Sequence, residues 1–348
     1  MKLEQLIRKN INRLTPYSSA RDEFSGEAMV FLDANENPFN APYNRYPDPL
    51  QRKLKEKIAG IKACRPEQIF LGNGSDEPID LLFRAFCEPG QDNMVSISPT
   101  YGMYQVAAEI NDVEVRNIRL KEDFRFLAAD LLDAADKNTK LAFVCSPNNP
   151  TGNLLEREEV MKLIREFQGL VVMDEAYTDF APGASLLPEL DRHPGLVLLH
   201  TFSKAWGMAG IRLGMAFADP RIIAVLNRIK YPYNINMLTQ QKAMELLDQE
   251  TEKTSWAELL VREREKLAGK LASLPFVEKV YPSAANFLLV RMQNARSVYR
   301  FLTDCGIIVR DRSKVILCEE SLRITIGTPE ENHILTEKLI AWRNRQKR

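Results

Sequence analysis

The sequence predicts an α/β protein with a mostly parallel central sheet flanked by helices, and a smaller α+β domain after it. Three observations lead there. Short apolar runs alternate with stretches of helical periodicity through the first two thirds of the chain. Most of those runs end in polar clusters, as strands do where ligands collect at the carboxyl edge of a parallel sheet. From about residue 240 the texture changes to a long charged amphipathic stretch, short strand-like runs and a last helix. The 348 residues exceed the size at which a single core usually stops growing, which fits two domains.

The elements follow in order. Gln68-Ile69-Phe70-Leu71 reads as a strand and runs into Gly72-Asn73-Gly74-Ser75-Asp76-Glu77. After it, Ile79, Leu81, Leu82, Phe83 and Phe86 recur at helical spacing. Met94-Val95-Ser96-Ile97 leads to Pro99-Thr100-Tyr101. Leu141-Ala142-Phe143-Val144 ends in Ser146-Pro147-Asn148-Asn149-Pro150-Thr151-Gly152, and Leu170-Val171-Val172-Met173 ends in Asp174-Glu175-Ala176-Tyr177. Leu196-Val197-Leu198-Leu199 precedes Thr201-Phe202-Ser203-Lys204-Ala205-Trp206, and Met215-Ala216-Phe217-Ala218 follows Gly210-Ile211-Arg212-Leu213-Gly214. Beyond residue 240 the stretch through Glu252, Arg262, Glu265 and Lys266 reads as a helix. Strands are expected from Val277 to Tyr281, Phe287 to Val290, Ile307 to Arg310 and Leu322 to Ile326, and a closing helix from His333 to Arg343. The expected division is an arm at 1–30, a large α/β domain at 31–240 and a small α+β domain at 241–348. Without internal repeats or Gly/Ser linkers, the two domains are expected to pack closely.

Composition narrows the function classes. Lys plus Arg and Asp plus Glu both number 47, so nothing in the net charge favours nucleic acid or an anionic membrane as partner. Hydrophobic residues make up 45% of the chain, enough for a sizeable core. The charged start excludes a usual signal peptide, and no apolar run approaches the roughly 18 residues of a spanning helix. The scattered Cys64, Cys87, Cys145, Cys305 and Cys318 contain no Cys-x-x-Cys pair, and a reducing cytoplasm suits them. No metal-ligand spacing and no Ser/His/Asp arrangement stands out.

The strand ends carry one lysine, one carboxylate, one amide and one phenol, which is the set that pyridoxal phosphate chemistry needs. A lysine amine, here Lys204, can form an imine with an aldehyde cofactor and then move protons. Pyridoxal phosphate is an electron sink that deepens when its ring nitrogen is protonated, and Asp174 is the carboxylate to hold that proton. Asn149 and Tyr177 can donate to the ring's phenolate oxygen, and Tyr101 offers a flat face to the ring. For the phosphate, Gly72 to Asp76 sit between a strand and a helix, where free N–H groups and the helix dipole favour an anion. Ser203 and Arg212 can add a hydroxyl and a guanidinium. Arg323, on an expected strand of the second domain, can reach across to a substrate carboxylate or phosphate, with Arg310 assisting. His200 reads as structural. Taken singly these features are ordinary turns, caps and surface charges. Their placement at successive strand ends is what ordinary readings leave unexplained.

The whole chain resembles the fold-type I aminotransferases of the aspartate aminotransferase superfamily, and among them the histidinol-phosphate aminotransferase family. The superfamily motifs are Asn149-Pro150-Thr151-Gly152, Asp174-Glu175-Ala176-Tyr177, Ser203-Lys204 and the Arg323 strand. More specific are Leu14-Thr15-Pro16-Tyr17 with Ser19-Ala20-Arg21, Asn35-Glu36-Asn37-Pro38, Asn44-Arg45-Tyr46-Pro47, Arg84 to Gly90, Pro99 to Tyr104 and Gly306 to Asp311. The resemblance implies that Lys204 holds the cofactor, Asp174 its ring nitrogen, and Asn149 and Tyr177 its phenolate. It implies that Ser75 and Asp76 amides and the Ser203 and Arg212 side chains hold its phosphate. Tyr46 is similar to the tyrosine that reaches the phosphate from the other subunit of a homodimer. Tyr17, Asn35, Arg310 and Arg323 look like the substrate shell. The implied reaction is reversible transamination between L-histidinol phosphate and 2-oxoglutarate, giving imidazole-acetol phosphate and L-glutamate. An aromatic aminotransferase, a threonine-phosphate decarboxylase and, more remotely, a non-catalytic cofactor-binding regulator stay open. Trp206 departs from the pattern, which has a phenylalanine there.

Overall fold

The structure is a computed structural model that describes residues 3–16, 20 and 29–346. Among these, seven strands form one sheet: β1 (Ile69–Asn73), β2 (Asn93–Ser98), β3 (Glu114–Arg119), β4 (Thr139–Cys145), β5 (Leu170–Asp174), β6 (Leu196–Thr201) and β7 (Leu213–Ala218). Their spatial order is β1-β7-β6-β5-β4-β2-β3. All pairings are parallel except those of β7, which is antiparallel to both β1 and β6.

Strand periodicity divides the core in two. Ala142 and Val144 of β4, with Val171 and Met173 of β5, face one cluster that includes Leu54 and Ile58 of the helix Arg52–Lys62 and Leu163 of the helix Arg157–Glu166. Leu141 and Phe143, with Leu170 and Val172, face the opposite cluster, with Phe83 of the helix Asp76–Phe86, Ala108 of Met103–Ile110 and Leu226 of Pro220–Ile229. Burial on both faces explains why these strands read as continuous apolar runs. Each fully buried Leu or Phe stabilises the fold by about 1.5–3 kcal/mol.

A second sheet holds β8 (Val277–Val280), β9 (Phe287–Met292), β10 (Arg310–Asp311) and β11 (Ser321–Thr325), antiparallel throughout in the order β10-β11-β9-β8. It has its own core with Leu267 and Leu271 of the helix Glu250–Ala272, Val298 and Leu302 of Ala295–Asp304, and Leu339 and Trp342 of Pro329–Gln346. The two sheets meet where Ala284 N donates to Gly152 O at 2.7 Å. A Cβ at Gly152 would fall 2.5 Å from Ser283 Oγ, so this contact needs glycine.

Three elements differ from the sequence expectation. β3 was not anticipated: Glu114 to Arg119 is a polar edge strand with no fully buried side chain, and the apolar runs gave no sign of it. The strand expected from Ile307 to Arg310 begins only at Arg310, because the Ile307 amide instead bonds Leu302 O at the end of the preceding helix. The closing helix starts at Pro329 rather than His333, as proline suits a first helical turn.

Candidate active site

β4, β5 and β6 end side by side, so the residues just past them converge. Asn149, Asp174, Tyr177 and Lys204 line one cavity of about 320 Å³. β1 ends at the same edge and leads into Gly74, Ser75 and Asp76, which also line it. Because β7 runs the other way, its beginning lies at this edge, and Arg212, one residue before it, reaches the cavity. Tyr101, Ser203 and, from the small sheet, Arg310 and Arg323 complete the sequence-derived set found there.

Asp174 is buried and accepts hydrogen bonds from Tyr104 Oη at 2.5 Å and from Ala176 N at 3.0 Å. Burial pushes its carboxyl above the ordinary value, and the two donors oppose that rise. Tyr104 is fully buried, stacked on Phe143 with ring centroids 4.8 Å apart, and Phe143 stacks on Phe83 at 5.3 Å. An aromatic column thus fixes the donor behind the acid. Lys204 Nζ lies 5.7 Å from the Tyr177 ring centroid. Desolvation lowers the lysine pKa, Arg323 adds to the effect, and Asp174 works against it. The amine is open to the cavity and more readily neutral than an ordinary lysine.

Asn149 Nδ2 donates to Tyr177 Oη at 3.4 Å, while Asn149 Oδ1 accepts from Arg323 Nη1 at 2.5 Å. Burial raises the Tyr177 phenol well above its ordinary value, so the group stays a neutral donor. Tyr101 Oη donates to Asp76 Oδ1 at 3.1 Å, and Arg212 lies 3.5 Å from Ser203 Oγ and 3.7 Å from Asp76 Oδ2. Arg212 adopts φ 53, left-handed for a side-chain-bearing residue, and its carbonyl accepts from Gly74 N at 2.8 Å. Such strain clusters at functional sites.

Asn35 and Tyr46 lie elsewhere, in a second cavity of about 610 Å³ with Tyr233, whose ring stacks on Tyr46 at 4.4 Å. Tyr17 lies outside the described residues. His200 is not in the lining of the Lys204 cavity: its Nε2 is 2.8 Å from Glu175 Oε2, and the pair is buried. Trp206 packs edge-on against Phe202 at 5.5 Å and lines no part of the cavity. The sequence reading missed Tyr104, Thr201, Cys145 and Arg312 as members or supports of the site. For Arg312 the signal was present: it stands two residues after Arg310, on the same face of an extended segment.

Comparison with known proteins agrees with this geometry. The profile "Aminotransferase class I and II" matches residues 32–339. Histidinol-phosphate aminotransferase of Bacteroides fragilis is 58% identical over 331 residues, covering 95% of this chain and 96% of that protein. The enzyme of the same name from Parabacteroides distasonis is 57% identical over 96% of each. Among solved structures, the histidinol-phosphate aminotransferase of Clostridium acetobutylicum superposes with a TM-score of 0.80 at 25% identity, covering 87% of this chain and 92% of that one. The Sinorhizobium meliloti structure in complex with pyridoxal-5'-phosphate superposes at 0.78 and 24% identity, over 89% and 90%. With such likeness along nearly its whole length, the chain belongs to the class I and II aminotransferase family, and within it to the histidinol-phosphate aminotransferases.

Proposed function

We propose that this protein transfers an amino group between L-histidinol phosphate and 2-oxoglutarate, with pyridoxal phosphate held by Lys204, as a homodimer. The observation that carries the reading is the pairing of Lys204 and Asp174 at the ends of β6 and β5 in one cavity walled by arginines of the small sheet. The residues fit the cofactor. Asp174 is a buried carboxylate in an environment that disfavours its charge, and a protonated ring nitrogen would compensate it. Gly74 leaves room for the Arg212 guanidinium, whose Nη2 a Cβ there would meet at 2.6 Å, and the first turn of Asp76–Phe86 offers amides to a phosphate.

When bound, pyridoxal phosphate supplies an electron sink. The chain's own groups do the rest. Asp174 would hold a proton on the ring nitrogen, and the Tyr104 hydrogen bond favours the ionised form of Asp174 and fixes its position. Tyr177 and Asn149 would donate to the ring oxygen, and Tyr101 would lie against the ring face. Lys204, its pKa lowered, takes the proton from the carbon bearing the donor's amine and returns a proton during the exchange. Arg323 and Arg310 hold the far anionic end of either donor, phosphate or carboxylate. Ser75, Asp76, Ser203 and Arg212 serve the cofactor phosphate. We take residues 1–30 as an arm that belongs with the small domain as a substrate lid, 31–240 as the large cofactor-binding α/β domain and 241–348 as the small α+β domain, with Tyr17 and Asn35 in the substrate shell. Tyr46, half exposed in a cavity with Tyr43, Tyr233 and Leu238, would reach the phosphate of a second copy.

The test is glutamate formation from 2-oxoglutarate with histidinol phosphate, phenylalanine or tyrosine as donor. Histidinol phosphate should give the highest kcat/KM. Carbon dioxide release from phosphothreonine without any keto acid, or a preference for the aromatic donors, would sink the reading.

A further inference from the structure

The small-sheet wall of the Lys204 cavity holds more positive charge than two arginines supply. Arg310 and Arg312 are two residues apart, so strand periodicity sets both on the face opposite Asp311. Arg310 lies directly across from Arg323 in the antiparallel register, and Arg312 N continues the ladder by donating to Ser321 O at 2.9 Å. All three arginines line the cavity. Like charges directly opposite one another destabilise a ribbon. Among the described residues none of the three forms an ion pair with a carboxylate: Arg312 feels Arg323 and Arg310, and Arg323 feels Arg310, besides a thiol and phenols. Arg323 commits one nitrogen to Asn149 and lies over Phe287, 5.3 Å from the ring centroid. Arg312 Nε is buried with no hydrogen-bond partner, and so is Ser313 Oγ beside it. Orphaned buried donors next to a cavity mark where an acceptor is missing.

We propose that Arg312 completes, with Arg310 and Arg323, a three-guanidinium clamp that favours a phosphate monoester dianion over a carboxylate at the far end of the substrate. The inference rests on the aminotransferase reading above and assigns the specificity of that site. A phosphate carries close to two charges and three strong acceptor oxygens. A carboxylate carries one charge and two oxygens, which a single fork satisfies. Two arginines therefore serve both donors, and the third distinguishes them. Burial and the two neighbouring guanidiniums push the Arg312 pKa down, the direction expected where positive charge lacks its anion.

The experiment uses holoenzyme in native, Arg312→Gln and Arg312→Lys forms. It measures the ratio of kcat/KM for histidinol phosphate to that for glutamate, and titrates glycerol 3-phosphate and glutarate as unreactive probes by calorimetry. R312Q should lower the ratio by about 10- to 100-fold, the weight of one charge-assisted hydrogen-bond pair. R312K should recover part of it, being a charge without the fork. The preference for glycerol 3-phosphate over glutarate should fall in step, with cofactor absorbance unchanged. If R312Q does not fold, R312K alone decides, by a smaller fall in both measures. An unchanged ratio with an unchanged probe preference overturns the clamp. If native protein leaves histidinol phosphate untouched, yet R312Q abolishes the probe preference, the clamp stands and the proposed reaction falls.

Discussion

At the scale of single residues, the site works by setting groups where their ordinary ionisation is disfavoured and then correcting that with one neighbour. Asp174 shows this best. Burial raises its folded-state pKa above the unfolded value of 3.8, and Tyr104 opposes the rise. In Tyr104→Phe the pKa climbs further, so the ionised carboxylate destabilises the fold more. That cost is complete above the folded pKa and fades as pH falls toward 3.8, where the group is protonated in both states. Urea unfolding of cofactor-free protein should therefore show a deficit of about 1–3 kcal/mol at alkaline pH that shrinks as pH falls toward 3.8. A deficit independent of pH would mean that the hydroxyl does not act through the carboxylate. Lys204, Asp174, Asn149 and Tyr177 were legible in the sequence because each lies in the polar cluster that ends an apolar run. Tyr104 was not, because it acts from inside a helix and its role depends on a strand 70 residues away.

Elements position these groups through direction as much as through sequence. The antiparallel course of β7 is what brings Arg212 beside Ser203, and an all-parallel sheet would have sent it to the far edge. The fit is tight: a Cβ at Gly214 would lie 2.2 Å from Gly74 C and 2.3 Å from Ser75 N. Gly214→Ala must push the Gly74–Ser75 turn, proposed to hold the cofactor phosphate, off the strand. It should cost about 1–3 kcal/mol and weaken retention of pyridoxal phosphate by about tenfold or more, as read by fluorescence titration. Gly210→Ala, with nothing within 4 Å of the added carbon, is the control and should match native protein. Equal behaviour of the two variants would remove the steric argument. Periodicity revealed the buried strands but neither the reversal of β7 nor the edge strand β3. Parallel and antiparallel interior strands look alike along the chain, and an edge strand such as Glu114–Arg119 has few apolar residues to announce it.

For the whole molecule, the sequence signalled two structural units and a site shared between copies, and the single chain holds two of the residues expected there apart from Lys204. Tyr46 and Asn35 sit in their own cavity, away from Lys204. If a second copy supplies Tyr46, then Lys204→Ala and Tyr46→Phe, each impaired as a homodimer, should complement on subunit exchange. One of the two sites in the hybrid has both native residues. Activity of the mixture no greater than the sum of the separate variants would place Tyr46 outside the neighbouring site. The β10–β11 ribbon carries a last consequence. Holding Arg310 opposite Arg323, with neither ion-paired to a carboxylate among the described residues, it folds against its own repulsion. An oxyanion arriving between those side chains relieves that repulsion, so filling the pocket and firming the wall become a single equilibrium, and the bound substrate is itself a brace for the smaller sheet.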